Sequence, residues 1–387
     1  MYYVTIPQSP QVRQMSLEEL FFGTSSPVVI AKNETNTKTH EVQNISARLR
    51  KGVDIDALVT KLIDFNERNR GLFETDRHSL YRTFYIPKKS GGLRKIDAPN
   101  TELMDALRNL KSIFEEDFRA LYHTSAFAYI RGRCTVDCVK RHQANESKWF
   151  AKFDLHNFFG STTPEFVMQM FGMVFPFSEV VEQADGKAAL QKALSLAFLD
   201  GGLPQGTPIS PLITNIMMIP VDFRLANSLR EFKWTKKNGE EITQRFVYTR
   251  YADDFQISSK YDFDSKIVEK YITKTLESFN APFKLNESKT RYGSSSGKNY
   301  NLGVMLNGDN EITVGHRKKR RFQAMLSSFV LDTQHGTMWS LEDVMQLEGF
   351  RNYYKMVEGE TIDRIVKHVG DKYGVDIVKL IKEQLRS

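Results

Sequence analysis

The sequence predicts an α+β fold, and three observations carry that expectation. Strand-forming runs flank turn residues at Ser90-Gly91-Gly92, at Tyr251-Ala252-Asp253-Asp254 and at Asn307-Gly308-Asp309-Asn310, which reads as a set of antiparallel hairpins. Apolar residues recur at helical spacing over about 53–69, 103–121, 186–198, 212–229 and 267–279. From His316 onward the pattern is helical alone, as expected of a separate small helical subdomain. With 387 residues, the chain exceeds a typical single domain and calls for two or three subdomains.

In chain order, residues 1–75 read as an N-terminal extension without visible chemistry, closed by the helix at about 53–69. A short helix is expected before Gly23 and a polar loop at 32–39. The first hairpin, Tyr85 to Pro99, displays Lys88, Lys89, Arg94 and Lys95 near its tip. Thr101 is expected to cap a long core helix, and a second helix covers about 135–145. Trp149 to Asp154 reads as a largely apolar strand ending on a carboxylate. Thr162 and Thr163 before Pro164 and Glu165 open the next helix. Three Gly and three Pro between Gly201 and Pro211 dictate an irregular backbone, followed by one apolar helix at about 212–229. Then come the hairpin carrying Asp253-Asp254, the helix at 267–279, and a hairpin of Tyr300–Leu306 with Glu311–Val314.

Bulk properties narrow the classes. Lys plus Arg number 54 against 47 Asp plus Glu, a net charge of +7, which is compatible with a polyanionic partner. Hydrophobic residues at 41% suffice for a sizeable core. No apolar run approaches the roughly 20 residues that cross a bilayer, so no membrane partner is expected. The N-terminus lacks a signal-peptide pattern. Cys134 and Cys138, the two cysteines, lie one helical turn apart with no zinc-like ligand pattern, which fits free thiols in a reducing cytoplasm.

The chemistry centres on Tyr251-Ala252-Asp253-Asp254. Asp is poor in strand interiors, so a pair between two strands is either a polar turn or a site. Side chains alternate along a strand, but a tight turn lets both carboxylates reach one place. Asp154, at the end of its own strand, is the candidate third carboxylate. His316-Arg317-Lys318-Lys319-Arg320-Arg321 is the most basic run and reads as either a nucleic-acid patch or a solvated face.

In this order the motifs resemble those of the bacterial reverse transcriptases, over about residues 80–315 with a weaker likeness to about 370. Tyr251-Ala252-Asp253-Asp254 matches the family's Tyr-x-Asp-Asp box. Gly202-Leu203-Pro204-Gln205-Gly206-Thr207-Pro208-Ile209-Ser210-Pro211, continuing to Asn215, matches its Pro-Gln-Gly box. Phe153-Asp154 with Phe158-Phe159 matches the box of the first metal-binding Asp, Arg94-Lys95-Ile96 the fingers box, and Leu302-Gly303 the primer grip. The resemblance implies a right-hand polymerase: fingers and palm at 76–315, built from an antiparallel sheet plus helices, and a helical thumb at 316–387.

It implies RNA-directed DNA synthesis, adding dNTPs to a 3′ end with an RNA template or a non-coding RNA and a DNA product. Two Mg²⁺ about 3.5–4 Å apart, with Mn²⁺ as a substitute, would clamp the attacking and leaving oxygens. Asp154 and Asp253 are the expected bridging ligands, with Asp254 in support. Lys88 and Arg94 would neutralise the triphosphate, Gln205 would lie near the nascent base pair, and Lys289 would donate a proton to pyrophosphate. Phe159, five residues after Asp154, falls where the family places a bulky group beneath the sugar, which favours dNTP over NTP. Arg317, Lys318, Lys319, Arg320 and Arg321 would grip template–primer phosphates, with Leu302 and Gly303 at the primer.

Within the family, the retron Asn-Ala-x-x-His is reduced to the His of Cys138-Val139-Lys140-Arg141-His142, and Val-Thr-Gly appears as Asn301-Leu302-Gly303. No zinc-binding or nuclease pattern follows the basic run. The expectation is therefore a stand-alone antiphage-defence enzyme or a retron-like one. A diversity-generating enzyme, an RNA-binding maturase-like protein and a viral-type RNA polymerase stand as alternatives. Homo-oligomerisation is left open.

Overall fold

A computed structural model of the chain describes residues 52–88, 91–118, 122–236, 238–295 and 300–386. The short helix expected before Gly23 and the loop at 32–39 lie outside these residues. Described residues up to Arg133, together with Ala151–Ile257 and Phe263–Arg291, form one compact unit. Cys134–Phe150, Ser258–Asp262 and the described residues from Tyr292 onward form a second.

The first unit opens with α1 (Ile55–Arg68), capped by the Asp54 carboxylate accepting from Ala57 N, and the short α2 (Arg70–Glu74). Strands β1 (Tyr81–Pro87) and β2 (Leu93–Pro99) then pair antiparallel, Tyr81 against Pro99 and Pro87 against Leu93. Helix α3 (Thr101–Phe118) follows. Its cap is Asn100 rather than the expected Thr101: the Asn100 side-chain oxygen accepts from Leu103 N at 2.9 Å. Asn is at least as good a cap as Thr, and Thr101 is already the first helical residue. Leu103, Leu107, Leu110 and Phe114 are fully buried along one face of the helix. Phe114, Phe171 and Phe177 meet edge-on or tilted, with centroids 4.6–5.9 Å apart, and form an aromatic centre of this core.

Strand β3 (Trp149–Asp154) leads into α5 (Phe158–Ser161) and α6 (Pro164–Phe171), once α4 (Thr135–Gln143) of the second unit is counted. Thr163 caps α6 through its hydroxyl, with Pro164 in the first turn, as the sequence predicts. Helices α7 (Phe177–Glu182) and α8 (Ala184–Ser195) complete the layer, and Asn66 of α1 donates to Ala189 O of α8 at 2.9 Å.

The single apolar helix expected at 212–229 is two helices, α9 (Ser210–Met217) and α10 (Ile219–Arg230). Pro220 has no N–H to continue the ladder of α9, so it sits in the first turn of a new helix. A hairpin not anticipated follows, β4 (Phe232–Thr235) against β5 (Glu241–Gln244). Its signal was the Asn238-Gly239 pair between two strand-forming runs.

Strands β6 (Val247–Tyr251) and β7 (Asp254–Ser259) enclose Ala252-Asp253 as a two-residue turn. Helix α11 (Ser265–Ser278), capped by Asp264, and β8 (Arg291–Ser294) follow. The four-stranded sheet has the order β6-β7-β3-β8.

In the second unit, Tyr300–Leu306 is not one strand. It is β9 (Tyr300–Asn301) and β10 (Val304–Leu306), antiparallel about Leu302-Gly303, with β11 (Ile312–Thr313) pairing to β10. Leu302 and Gly303 are both left-handed (φ 52 and 89), so the chain reverses where continuous strand was expected. Val139 of α4, Phe150, Val304 and Leu306 form a small core. Helix α12 (His316–Gln334), α13 (Leu341–Tyr373) and α14 (Ile377–Gln384) build a larger one around Phe322, Leu326, Phe329, Leu347, Ile362 and Ile381. Among the described residues no helix is long and apolar enough to cross a membrane.

Candidate active site

Asp154 ends β3, and Asp253 sits in the β6–β7 turn. One backbone link joins them, Leu155 N donating to Asp253 O at 3.1 Å, and Asp154 O in turn accepts from Asn286 N at 2.7 Å. The turn residue Ala252 is left-handed at φ 56, which bends the chain sharply enough for Asp253 and Asp254 to serve one place. Asp154 is 5% exposed, and Asp253 and Asp254 are partly buried.

Two adjacent carboxylates in one low-dielectric place resist ionising together. Burial, then the neighbouring Asp254 and Asp154 charges, push Asp253 up to about 6. Burial also raises Asp254, although Lys152 opposes the shift. Lysines offset the charge: Lys289 Nζ lies 3.0 Å from both Asp154 oxygens, and Lys152 Nζ lies 2.8 Å from Asp254 Oδ2. Asn286 Nδ2 approaches Asp154 Oδ2 at 3.4 Å.

This donor set fits a hard divalent cation, being all oxygen and anionic, with neither thiolate nor imidazole. Among the described residues no three His, Cys, Asp or Glu side chains are drawn into a ready-made cage. Asp154 is instead paired with Lys289, and Asp254 with Lys152.

The nucleotide-site residues expected from the sequence fall on three segments tied together by backbone. Phe158 is buried against Phe283 (centroids 5.0 Å), while its neighbour Phe159 is half-buried. Leu203 N donates to Phe159 O at 2.9 Å, which joins the Gly/Pro-rich loop to α5. Gly202 is required there, because a Cβ would stand 2.3 Å from Gly160 O. Gln205 O accepts from Asp97 N of β2 at 2.8 Å. Gly206 is left-handed (φ 125), and a Cβ on it would meet Asp97 O at 2.9 Å. Phe159, Gln205 and the base of the first hairpin are thus brought together.

Arg94 and Lys88 are exposed on that hairpin, and Lys88 N donates to Gly92 O at 2.9 Å across the tip. Tyr129, left-handed at φ 60, has Asp253, Tyr251 and Arg94 as electrostatic neighbours. Among the described residues neither Lys88 nor Arg94 makes a hydrogen bond or ion pair to the three carboxylates. Lys95 instead pairs with Asp97 (3.2 Å) and Asp200 (3.8 Å).

In the second unit the basic run opens α12 but divides its labour. Arg317, Arg320 and Arg321 are exposed. Lys318 donates to Gly303 O, and Lys319 pairs with Glu358 at 2.9 Å. Glu358 also accepts from Val314 N and Thr313 Oγ1, both at 2.8 Å, where α13 breaks its helical geometry (φ −139, ψ 61).

Sequence reasoning missed Lys152, Asn286 and Tyr129. Lys152 was legible: two residues before Asp154 on the same strand, it shares that face. Asn286 and Tyr129 carry no comparable signal.

A family model described as reverse transcriptase (RNA-dependent DNA polymerase) matches residues 86–314. The chain belongs to this family, and it is an RNA-directed DNA polymerase of the right-hand, α+β kind. Among curated proteins it is similar to bacterial retron enzymes. It is 27% identical over 310 residues to the retron Ec83 reverse transcriptase of Escherichia coli, covering 78% of this chain and 90% of that one. It is 27% identical over 281 residues to the retron Ec73 enzyme of the same organism, covering 70% and 82%. A solved telomerase from Candida albicans, bound to a fragment of telomeric RNA, aligns with a TM-score of 0.41 at 13% identity. That alignment covers 79% of this chain and 61% of the telomerase chain. The retron-like expectation is the one that these relatives bear out.

Proposed function

We propose that the enzyme extends a 3′ end with dNTPs on an RNA template, using two Mg²⁺ held by Asp154 and Asp253 with Asp254 in support. The observation that carries this reading is the convergence of three carboxylates at the end of β3 and the β6–β7 turn, each backed by a nearby backbone or lysine contact. Asp154, Asp253 and Asp254 would hold the ions, which would supply Lewis-acid stabilisation of the charge that develops in phosphoryl transfer. The chain's own part is positioning and charge. Gln205 and the base of the first hairpin line the nucleotide's side of the site, and Arg94 faces its phosphates. Phe159, on the short helix after Asp154, stands beneath the sugar and excludes a 2′-hydroxyl. Lys289 holds Asp154 until the substrate arrives and is then free to give its proton to pyrophosphate.

The exposed Arg317, Arg320 and Arg321 grip template–primer phosphates, with Leu302-Gly303 at the primer. In this division, 76–315 works as fingers and palm and 316–387 as thumb. The likeness to retron enzymes supports a dedicated non-coding RNA as template and partner, and a cytoplasmic role in antiphage defence. The test is to sequence the nucleic acid that co-purifies with the wild-type protein and with an Asp253→Asn variant. One recurrent structured RNA in both, joined to newly made DNA in the wild type alone, is expected. Random cellular RNA in both would contradict the dedicated-RNA reading.

A further inference from the structure

Arg250 is the bulkiest wholly buried side chain among the described residues. A charge so placed must be paired and fully hydrogen-bonded. Its Nε and Nη2 donate to the two oxygens of Asp222, each at 2.8 Å. Its Nη1 donates at 3.2 Å to Asn215 Oδ1 and, at the same distance, to Ala252 O. Tyr248 adds its hydroxyl to Asp222 Oδ1 at 2.7 Å.

The neighbours extend the network. Asn215, at the end of the Gly/Pro-box helix α9, gives Nδ2 to Ala128 O at 2.8 Å. The Arg250 backbone receives Phe127 N at 2.9 Å and donates to Ser125 O at 2.7 Å. The guanidinium therefore joins α10, α9 and the acidic turn, while the Arg250 backbone and Asn215 tie in the 125–128 segment.

The turn needs such a hold. Ala252 is left-handed at φ 56, a region that side chains other than glycine avoid. A residue stays there only when its surroundings over-determine it. Ala252 immediately precedes Asp253, so a relaxed turn would move that carboxylate first.

We propose that Arg250 is a positioning residue for polymerisation: by bridging Asp222, Asn215 and the Ala252 carbonyl, it locks the left-handed turn that presents Asp253. The inference rests on Asp253 being a metal-holding carboxylate. Only arginine suits the task, because its planar fork serves acceptors in several fixed directions at once, whereas a lysine ammonium would keep the Asp222 charge pair and lose the reach to Ala252.

The rival explanation is a buried ion pair that merely stabilises the fold, and kinetics separates the two. Four variants are measured by primer extension across dNTP concentrations and by thermal melting: Arg250→Lys, Arg250→Lys with Ala252→Gly, the apolar triple Asp222→Leu/Tyr248→Phe/Arg250→Met, and Asp253→Asn. Arg250→Lys is expected to lower kcat on the order of 10- to 100-fold, as a displaced catalytic group does, while KM for dNTP stays within about twofold. Adding Ala252→Gly, which removes the backbone penalty, is expected to restore part of kcat. The apolar triple removes the buried charges together, so it is expected to melt near the wild type with kcat still low.

A folded triple variant with wild-type kcat would overturn the proposal, and so would Arg250→Lys with wild-type kcat should the triple not fold. Asp253→Asn isolates the premise. If it stays active, the reading of Asp253 itself fails; if it is inactive while Arg250→Lys is not, the positioning role fails alone.

Discussion

Lys289 Nζ lies 3.0 Å from both carboxylate oxygens of Asp154, so the first of the three acidic residues is neutralised within the chain itself. The ammonium and a divalent cation compete for the same oxygens. Lys289→Met should therefore tighten Mn²⁺ binding, read by electron paramagnetic resonance, on the order of two- to fivefold, the scale of a partly exposed ion pair. It should also lower kcat on the order of 10²-fold if the lysine protonates pyrophosphate. Weaker Mn²⁺ binding, or an undiminished kcat, contradicts one or other half of this assignment.

Phe159 is half-buried next to the fully packed Phe158, with ring centroids 5.6 Å apart. The two rings have different work: Phe158 anchors α5, and Phe159 offers its free face. Phe159→Ala should raise the NTP-to-dNTP ratio of kcat/KM by roughly 10- to 100-fold, the range available to a steric pocket. An unchanged ratio removes Phe159 from sugar selection.

The basic run makes two separate predictions. Replacing the exposed Arg317, Arg320 and Arg321 together by Gln should lower the slope of log affinity against log salt by about 2–3 for a nucleic-acid duplex. Lys319→Met should instead cost about 1–3 kcal/mol in a urea titration, because it leaves the Glu358 carboxylate short of its partner. A salt slope that responds to Lys319 more than to the arginines would reverse the assignment.

His142 is fully buried, bonds Ser258 Oγ at 2.7 Å, and has its pKa lowered to about 3 by burial and then by Arg141. It stays neutral in the fold, whereas the unfolded chain binds a proton below about pH 6.5. Stability should therefore fall as pH drops from about 6.5 toward 3, by up to about 1.4 kcal/mol per unit. Denaturant titrations of the wild type and His142→Gln should diverge in slope over that window. Parallel slopes would show that His142 is not the group responsible.

Much of this was legible in the sequence, for reasons that differ between elements. The β6–β7 hairpin was readable because Asp253 and Asp254 interrupt two strand-forming runs. Thr163-Pro164 announced a helix start by chemistry that acts locally. The break at Pro220 was legible in principle, but it was overridden by an apolar pattern that continues across it. The reversal at Leu302-Gly303 was hidden because Leu gives no hint of a positive φ. The Asp222–Arg250 pair could not be read at all, since it joins residues 28 apart in sequence through tertiary packing. The same holds for the split of the basic run, which depends on Glu358 reaching back 39 residues to Lys319.

The central claim is that Asp253 holds a catalytic divalent ion. Its carboxyl is pushed up to about 6 by burial and by its acidic neighbours, so ionising it costs stability as pH rises from about 4 through 6. Asp253→Asn should thus melt higher than the wild type at neutral pH, which guards against misreading an unfolded variant as an inactive one. The decisive measurement is Mg²⁺-dependent dNTP incorporation on a primed RNA by this variant, with RNA binding measured on the same preparation. The expected result is incorporation at background with RNA affinity unchanged; incorporation at the wild-type rate would contradict the account.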